Sequence, residues 1–170
     1  MPEVELAPLE AADREAFIAD NQRAFNYGAL VEAGRGEEDF EEDGQIISRE
    51  TIEKSLNGGE GYRIVADGRK VGGLVLRTDG ERGELELLFT APEVHGRGIG
   101  QAAWRAVEAL HPEVRVWETV TPYFEKRNIH FYVNKCGFRI VEFFRDGHPG
   151  AGRGEDGGGE MFRFEKRVER

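Results

Sequence analysis

Between Glu84 and Leu110 the chain passes without interruption through an apolar run, a proline turn, three glycines at alternate positions and an amphipathic segment, reading GELELLFTAPEVHGRGIGQAAWRAVEAL from Gly83. That order predicts strand, glycine loop, helix. Gly96, Gly98 and Gly100 let the backbone come close to a bulky anion, and the first turn of the helix offers N–H groups with no intrahelical acceptor. Together with the positive end of the helix dipole they make an anion site, and a pyrophosphate is the group expected in it.

The flanking segments predict what this unit is built into. Val4–Leu9 suits an edge strand. Asp13 is placed to cap a helix with Phe17, Ile18, Ala24 and Phe25 on one face, and Gly28 to end it. Ser48 caps a second helix over Ser48–Leu56, stopped by Asn57-Gly58-Gly59. Tyr62–Ala66, Lys70–Arg77 and Glu84–Thr90, joined by Asp67-Gly68 and Asp79-Gly80, read as an antiparallel meander, with Gly72-Gly73 marking a bulge or a close backbone approach. After the helix face Ile99, Ala102, Ala103, Ala106, Val107 and Leu110, a strand resumes at Val114–Trp117. A strand, helix, strand sequence this short demands a right-handed crossover and parallel pairing of Glu84–Thr90 with Val114–Glu118. Ligands of such units bind at the carboxyl ends of the strands, where the glycine loop lies. A helical segment ending at Gly137, the strand Phe138–Arg145, the glycine-rich loop Asp146–Gly159 and the strand Met161–Val168 complete the chain.

Charge narrows the partners. With Asp+Glu at 33 against Lys+Arg at 23, the net charge of −10 disfavours nucleic acid and anionic lipid. The sequence shows no apolar run of bilayer length and no leader pattern at MPEVELAPLE, and its single cysteine, Cys136, cannot close an internal disulfide. A reduced, cytoplasmic protein with no membrane partner is expected. No Cys/His/Asp cluster has metal-ligand spacing, so no metal is expected. Glu37–Asp43 (EEDFEED) reads either as a solvated acidic segment or as a rim that attracts a cationic acceptor, with Phe40 against the acceptor's apolar part.

The strand, turn and His95-Gly96-Arg97-Gly98-Ile99-Gly100, followed some thirty residues on by Asn128, Tyr132 and Gly137-Phe138, resemble the GNAT superfamily of acetyl-CoA-dependent N-acetyltransferases. The family's signature usually has Gln or Arg where this chain has His95. The resemblance implies one α/β (α+β) domain over residues 1–170. Its sheet would be mixed and mostly antiparallel, of about six to seven strands with one parallel pair at the cofactor site, flanked by about four helices. It implies acetyl-CoA as co-substrate, held by His95, Gly96, Arg97, Gly98, Ile99, Gly100 and Gln101, with Phe89 and Thr90 offering backbone groups to the pantetheine and Asn128 hydrogen-bonding near the thiol.

Transfer of acetyl to a primary amine needs an acid for the departing thiolate and a base for the amine. Tyr132 stands where the family's general acid stands, at i+4 from Asn128; a phenol's ordinary pKa of about 10 suits that role. Tyr123 is a rival phenol that could reach the acceptor. Glu84 and Glu86, expected on one strand face opposite Leu85 and Leu87, and Glu118 on the partner strand, are candidate bases, with Glu118 and Glu86 preferred and His130 a further candidate. The bland alternatives are a core aromatic for Tyr132, solvated strand acids for the glutamates and a buried inert thiol for Cys136. The acceptor is expected to be a small-molecule or protein amine. A homodimer through the last strand and the Asp146–Gly159 loop is a further expectation. The competing functional readings are a non-catalytic acyl-CoA-binding regulatory module and, more remotely, a nucleotide-phosphate binder.

Overall fold

The chain enters its sheet as a short edge strand, β1 (Glu5–Pro8), antiparallel to β2 (Glu60–Ala66). The structure is a computed structural model that describes residues 2–32, 45–123, 125–144 and 160–169. Phe40 with the Glu37–Asp43 run, and the Asp146–Gly159 segment, therefore lie outside the described residues. β2 turns into β3 (Arg69–Asp79) through Asp67 and Gly68, both at positive φ (51° and 73°), as a two-residue hairpin turn requires. β3 pairs antiparallel with β4 (Arg82–Thr90). β5 (Val116–Pro122) lies parallel to β4, and the last two strands, β6 (Arg139–Phe144) and β7 (Met161–Arg167), complete a seven-stranded sheet in the order β1-β2-β3-β4-β5-β7-β6. Among the described residues only the β4–β5 pair of this sheet is parallel.

Helices cover both faces. α1 (Arg14–Tyr27) and α2 (Arg49–Gly58) lie on one, burying Phe17, Ile18, Ile52 and Leu56 against Val75, Leu87 and Phe89. α3 (Ile99–Leu110) and the segment after β5 lie on the other, burying Ile99, Ala103, Trp104 and Val107 with Leu74, Leu76, Leu85, Trp117, Tyr132 and Phe138. Each fully buried aliphatic or aromatic side chain contributes about 1.5–3 kcal/mol. Close approaches explain two glycines. A Cβ on Gly73 would come 2.4 Å from Phe17 and 2.8 Å from Phe89, and one on Gly83 would come 2.5 Å from the Trp117 ring.

Several local expectations are revised. Ser48 does cap α2, accepting the Thr51 N–H at 3.1 Å. Asp13 makes no cap; its carboxylate instead accepts from Arg63 Nε at 2.7 Å and faces Lys70 Nζ at 3.1 Å. Gly28 is the C-cap of α1, as expected, but at a helical φ of −59°, so the chain runs on directly into a π-helical turn at Gly28–Glu32. On α3, Trp104 belongs to the buried face and Leu110 is exposed.

Two departures matter for the site. The register of β3 on β4 shifts between Val75 opposite Leu87 and Leu76 opposite Leu85, so Glu86 is an extra residue in β4. This bulge reverses the strand's parity: Leu85 packs on the α3 side, whereas Leu87 and Phe89 pack on the α1/α2 side. The expectation that Leu85 and Leu87 share one face is thereby corrected. Parallel pairing of β5 with β4 also stops early. It runs only from Arg82 opposite Val116 to Glu84 opposite Glu118, after which the two strands part.

Candidate active site

Beyond Glu84 and Glu118 the facing backbone edges of β4 and β5 have no partner strand between them among the described residues, while β4 stays bonded to β3 as far as Thr90. Thr119 Oγ1 donates to Leu85 O at 2.9 Å across the closed end of this wedge. Its open end leads into a cleft of about 530 Å³. One wall is Leu88, Phe89 and Thr90 of β4 with Ala24 and Phe25 of α1 and Gly28 just after it; the other is Asn128, Phe131, Tyr132 and Lys135.

The glycine loop forms the mouth. Gly96 and Gly98 have φ of 81° and 78°, conformations that L side chains rarely adopt, and the Gly98 carbonyl accepts the first helical bond of α3 from Ala102 N at 3.0 Å. The amides of Ile99, Gly100 and Gln101 therefore occupy the first helical turn, where no intrahelical acceptor exists. Gly96, Gly98, Ile99, Gly100 and Gln101 all line the cleft, whereas Arg97 is exposed and outside its lining. Gln101 Nε2 donates to Lys135 O at 2.9 Å, which ties α3 to the opposite wall.

That wall comes from a short helix, α4 (Lys126–His130), that widens into a π-helical turn over Phe131–Lys135, closed by Cys136 N–H donating to Phe131 O at 3.0 Å. Asn128 and Tyr132 both line the cleft. Asn128 Nδ2 approaches Thr121 Oγ1 at 3.4 Å. Tyr132 is 6% exposed, its ring held among Phe131, Phe138 and Phe164 with centroids 5.3 to 5.6 Å away. Cys136 is buried, and burial pushes its thiol pKa up to about 12, which leaves it an unreactive thiol. Tyr123 is 49% exposed, packs against Phe143 and Phe162, and does not line the cleft.

The carboxylates Glu84, Glu86 and Glu118 are brought together at the closed end of the wedge, on the α1/α2 side of the sheet, and none lines the cleft itself. Glu86 accepts from Ser55 Oγ of α2 at 2.9 Å and pairs with Arg77 at 3.1 Å. Glu118 is held by Arg82 at 2.5 Å and Arg163 at 3.4 Å. Among the described residues, Glu84 has no such hydrogen bond or ion pair. Burial raises its pKa above the ordinary carboxylate value, the Glu86 and Glu118 charges add to that rise, and Arg77 opposes it. The sequence did not single out Arg127, whose Nη1 lies 2.6 Å from His95 Nδ1; its only signal there was a basic residue next to Asn128 in an acidic chain. Among the described residues, no His, Cys, Asp and Glu group is arranged to hold a metal ion, and no helix is long and apolar enough to cross a membrane.

Fold and cleft together define an α/β protein whose cleft opens between two parting parallel strands beneath a glycine loop. The acetyltransferase (GNAT) family matches residues 16–138, and the chain belongs to that family. It is 44% identical over 151 residues to the uncharacterized protein YrkN of Bacillus subtilis, covering 86% of this chain and 79% of that one. Among solved structures, the ribosomal-protein-S18-alanine N-acetyltransferase of Escherichia coli superposes with a TM-score of 0.69 at 15% identity, over 99% of this chain and 96% of that one. A GNAT family acetyltransferase from Elizabethkingia anophelis with acetyl-CoA bound superposes with a TM-score of 0.65 at 18% identity, over 97% and 98% of the two chains.

Proposed function

We propose that this protein is an N-acetyltransferase that moves an acetyl group from acetyl-CoA to a primary amine, by direct attack of the amine on the thioester. The observation that carries the reading is the parting of β4 and β5 directly below a glycine loop and the N-terminus of a twelve-residue helix. The backbone edge left open along β4 fits a pantetheine chain added to the sheet like a strand, and the unpaired amides of Ile99, Gly100 and Gln101 fit a pyrophosphate. Acetyl-CoA supplies the activated acyl group and a thiolate leaving group.

The residues then divide the work. A β4 amide at Phe89 or Thr90 polarises the thioester carbonyl, Asn128 orients the pantetheine near the sulfur, and Tyr132 Oη gives its proton to the departing thiolate. Phe131, Phe138 and Phe164 fix the Tyr132 ring, so the phenol is oriented before the acyl group arrives. As the N–C bond forms and the C–S bond breaks, the proton leaving the amine passes through water to the Glu84, Glu86 and Glu118 group. Glu84 is its proton-accepting member: Glu86 and Glu118 are tied to arginines, and their charges make Glu84 more basic. Tyr123, outside the cleft, is given no part in proton transfer. The same carboxylates, with a net charge of −10, favour a cationic amine, and the single cysteine suits the cytoplasm.

Calorimetry with acetyl-CoA tests the site. The protein should bind it, and Gly98→Glu, which places a carboxylate and a strained φ in the mouth, should abolish binding. Equal binding by both proteins contradicts the assignment.

A further inference from the structure

Resting on that acetyl-CoA reading, we infer that Arg127 is a phosphate-binding residue of the cleft and that His95 is the positioning residue that holds it there. The two side chains meet at the mouth: Arg127 Nη1 donates to His95 Nδ1 at 2.6 Å. A ring nitrogen that accepts from a guanidinium carries no proton, so the imidazole proton sits on Nε2. Nε2 then donates to the Thr90 carbonyl at 3.1 Å, and Tyr27 packs edge-on against the ring at 5.8 Å. The Thr90 carbonyl, the imidazole and the guanidinium thus form one hydrogen-bonded chain from the end of β4 to α4. It sets Arg127 beside the glycine loop, where the α3 amides offer partial charge only.

This arrangement accounts for the departure at residue 95. Where the family usually has Gln or Arg, this chain has a side chain whose two nitrogens are both engaged within the protein. The charge is supplied from position 127 instead. Arginine suits the role because its planar fork presents several donors, so it can give one to His95 and others to a phosphate. His130 and Lys135 are the other basic side chains in the lining, about one and two turns beyond Arg127 along the same segment. Glu125, beside Gly28, is its acid among the described residues. Glutamine at position 95 can reproduce both contacts, its amide N–H donating to Thr90 and its oxygen accepting from Arg127. Alanine can reproduce neither.

Calorimetry with acetyl-CoA, alongside ligand-observed NMR with S-acetylpantetheine, which lacks the phosphates, separates the possibilities. Arg127→Gln should weaken acetyl-CoA about tenfold or more, as loss of a charge-assisted phosphate contact does, and leave S-acetylpantetheine unchanged, which also reports an intact fold. His95→Ala should weaken acetyl-CoA similarly, His95→Gln should restore wild-type affinity, and the His95→Ala, Arg127→Gln double variant should be no weaker than Arg127→Gln alone. If Arg127→Gln binds acetyl-CoA as the wild type does, or if the two losses add, the inference fails while the acetyl-CoA reading stands. If the wild type binds no acetyl-CoA, both fail.

Discussion

Glu84 of β4 and Glu118 of β5 face one another as the last paired residues before the two strands part. Like charges placed opposite each other destabilise a sheet, and here a third carboxylate, Glu86, stands at the adjacent bulge. Arginines at 77, 82 and 163 neutralise Glu86 and Glu118 and leave Glu84 as the member that gains most from a proton.

A stability test follows from the sign of that shift. The folded state binds the Glu84 proton more tightly than the unfolded chain, so this group's contribution to stability falls as pH rises above the ordinary carboxylate pKa of about 4.3. Glu84→Gln should melt above the wild type at pH 8, and the gap should close at pH 4. A wild type at least as stable as the variant at pH 8 contradicts the raised pKa.

The same group should shape catalysis. If Glu84 takes the amine's proton, kcat/KM for the amine rises with pH through its raised pKa, and Glu84→Gln lowers the rate about a hundredfold with acetyl-CoA affinity unchanged. Steady-state rates for Glu84→Gln, Glu86→Gln and Glu118→Gln would identify the base by the largest loss. Full activity in Glu84→Gln removes it from that role.

Tyr132→Phe keeps the ring among its aromatic neighbours and removes only the hydroxyl. Transfer should fall about a hundredfold while calorimetric affinity for acetyl-CoA holds, because the phenol acts on the leaving thiolate rather than on the bound phosphate. A normal turnover number in this variant excludes it as the acid.

Arg63, 2% exposed on β2, is neutralised by Asp13 at 2.7 Å and Asp20 at 3.1 Å, and lies over the Phe17 ring at 5.4 Å. The hydrogen bond from Arg63, then Lys70, holds the Asp13 pKa below its ordinary value, so its stabilisation is present at neutral pH and is lost as pH falls through that lowered pKa. Asp13→Asn should cost about 3 kcal/mol in urea unfolding at pH 7, since it leaves a buried guanidinium short of charge. A change under half a kcal/mol, the ordinary range for surface sites, would show the pair to be incidental.

The sheet was largely legible because its signals are local. Asp67-Gly68 announces a hairpin within a few residues, and Ser48 announces a helix start. Glu86 shows why other features were hidden: the Glu-Leu alternation of β4 has the period of a regular strand, and an inserted residue becomes visible only against the register of β3. Asp13 looked like a cap because a cap is defined by its neighbours, whereas its partner Arg63 is fifty residues away. The cleft motifs His95–Gly100 and Asn128 with Tyr132 were readable as a pattern. The parting of β4 from β5, and the contact between Arg127 and His95, are relations between distant segments that no single stretch encodes.

The central claim is group transfer, and an amine screen with detection of released thiol addresses it most directly. Purified protein, acetyl-CoA and a panel of cationic small amines and amino-terminal peptides should give thiol release that depends on one class of amine, with mass spectrometry showing the matching N-acetylated product. Protein that binds acetyl-CoA yet releases thiol with no amine in the panel would contradict the account and leave an acyl-CoA-binding module in its place.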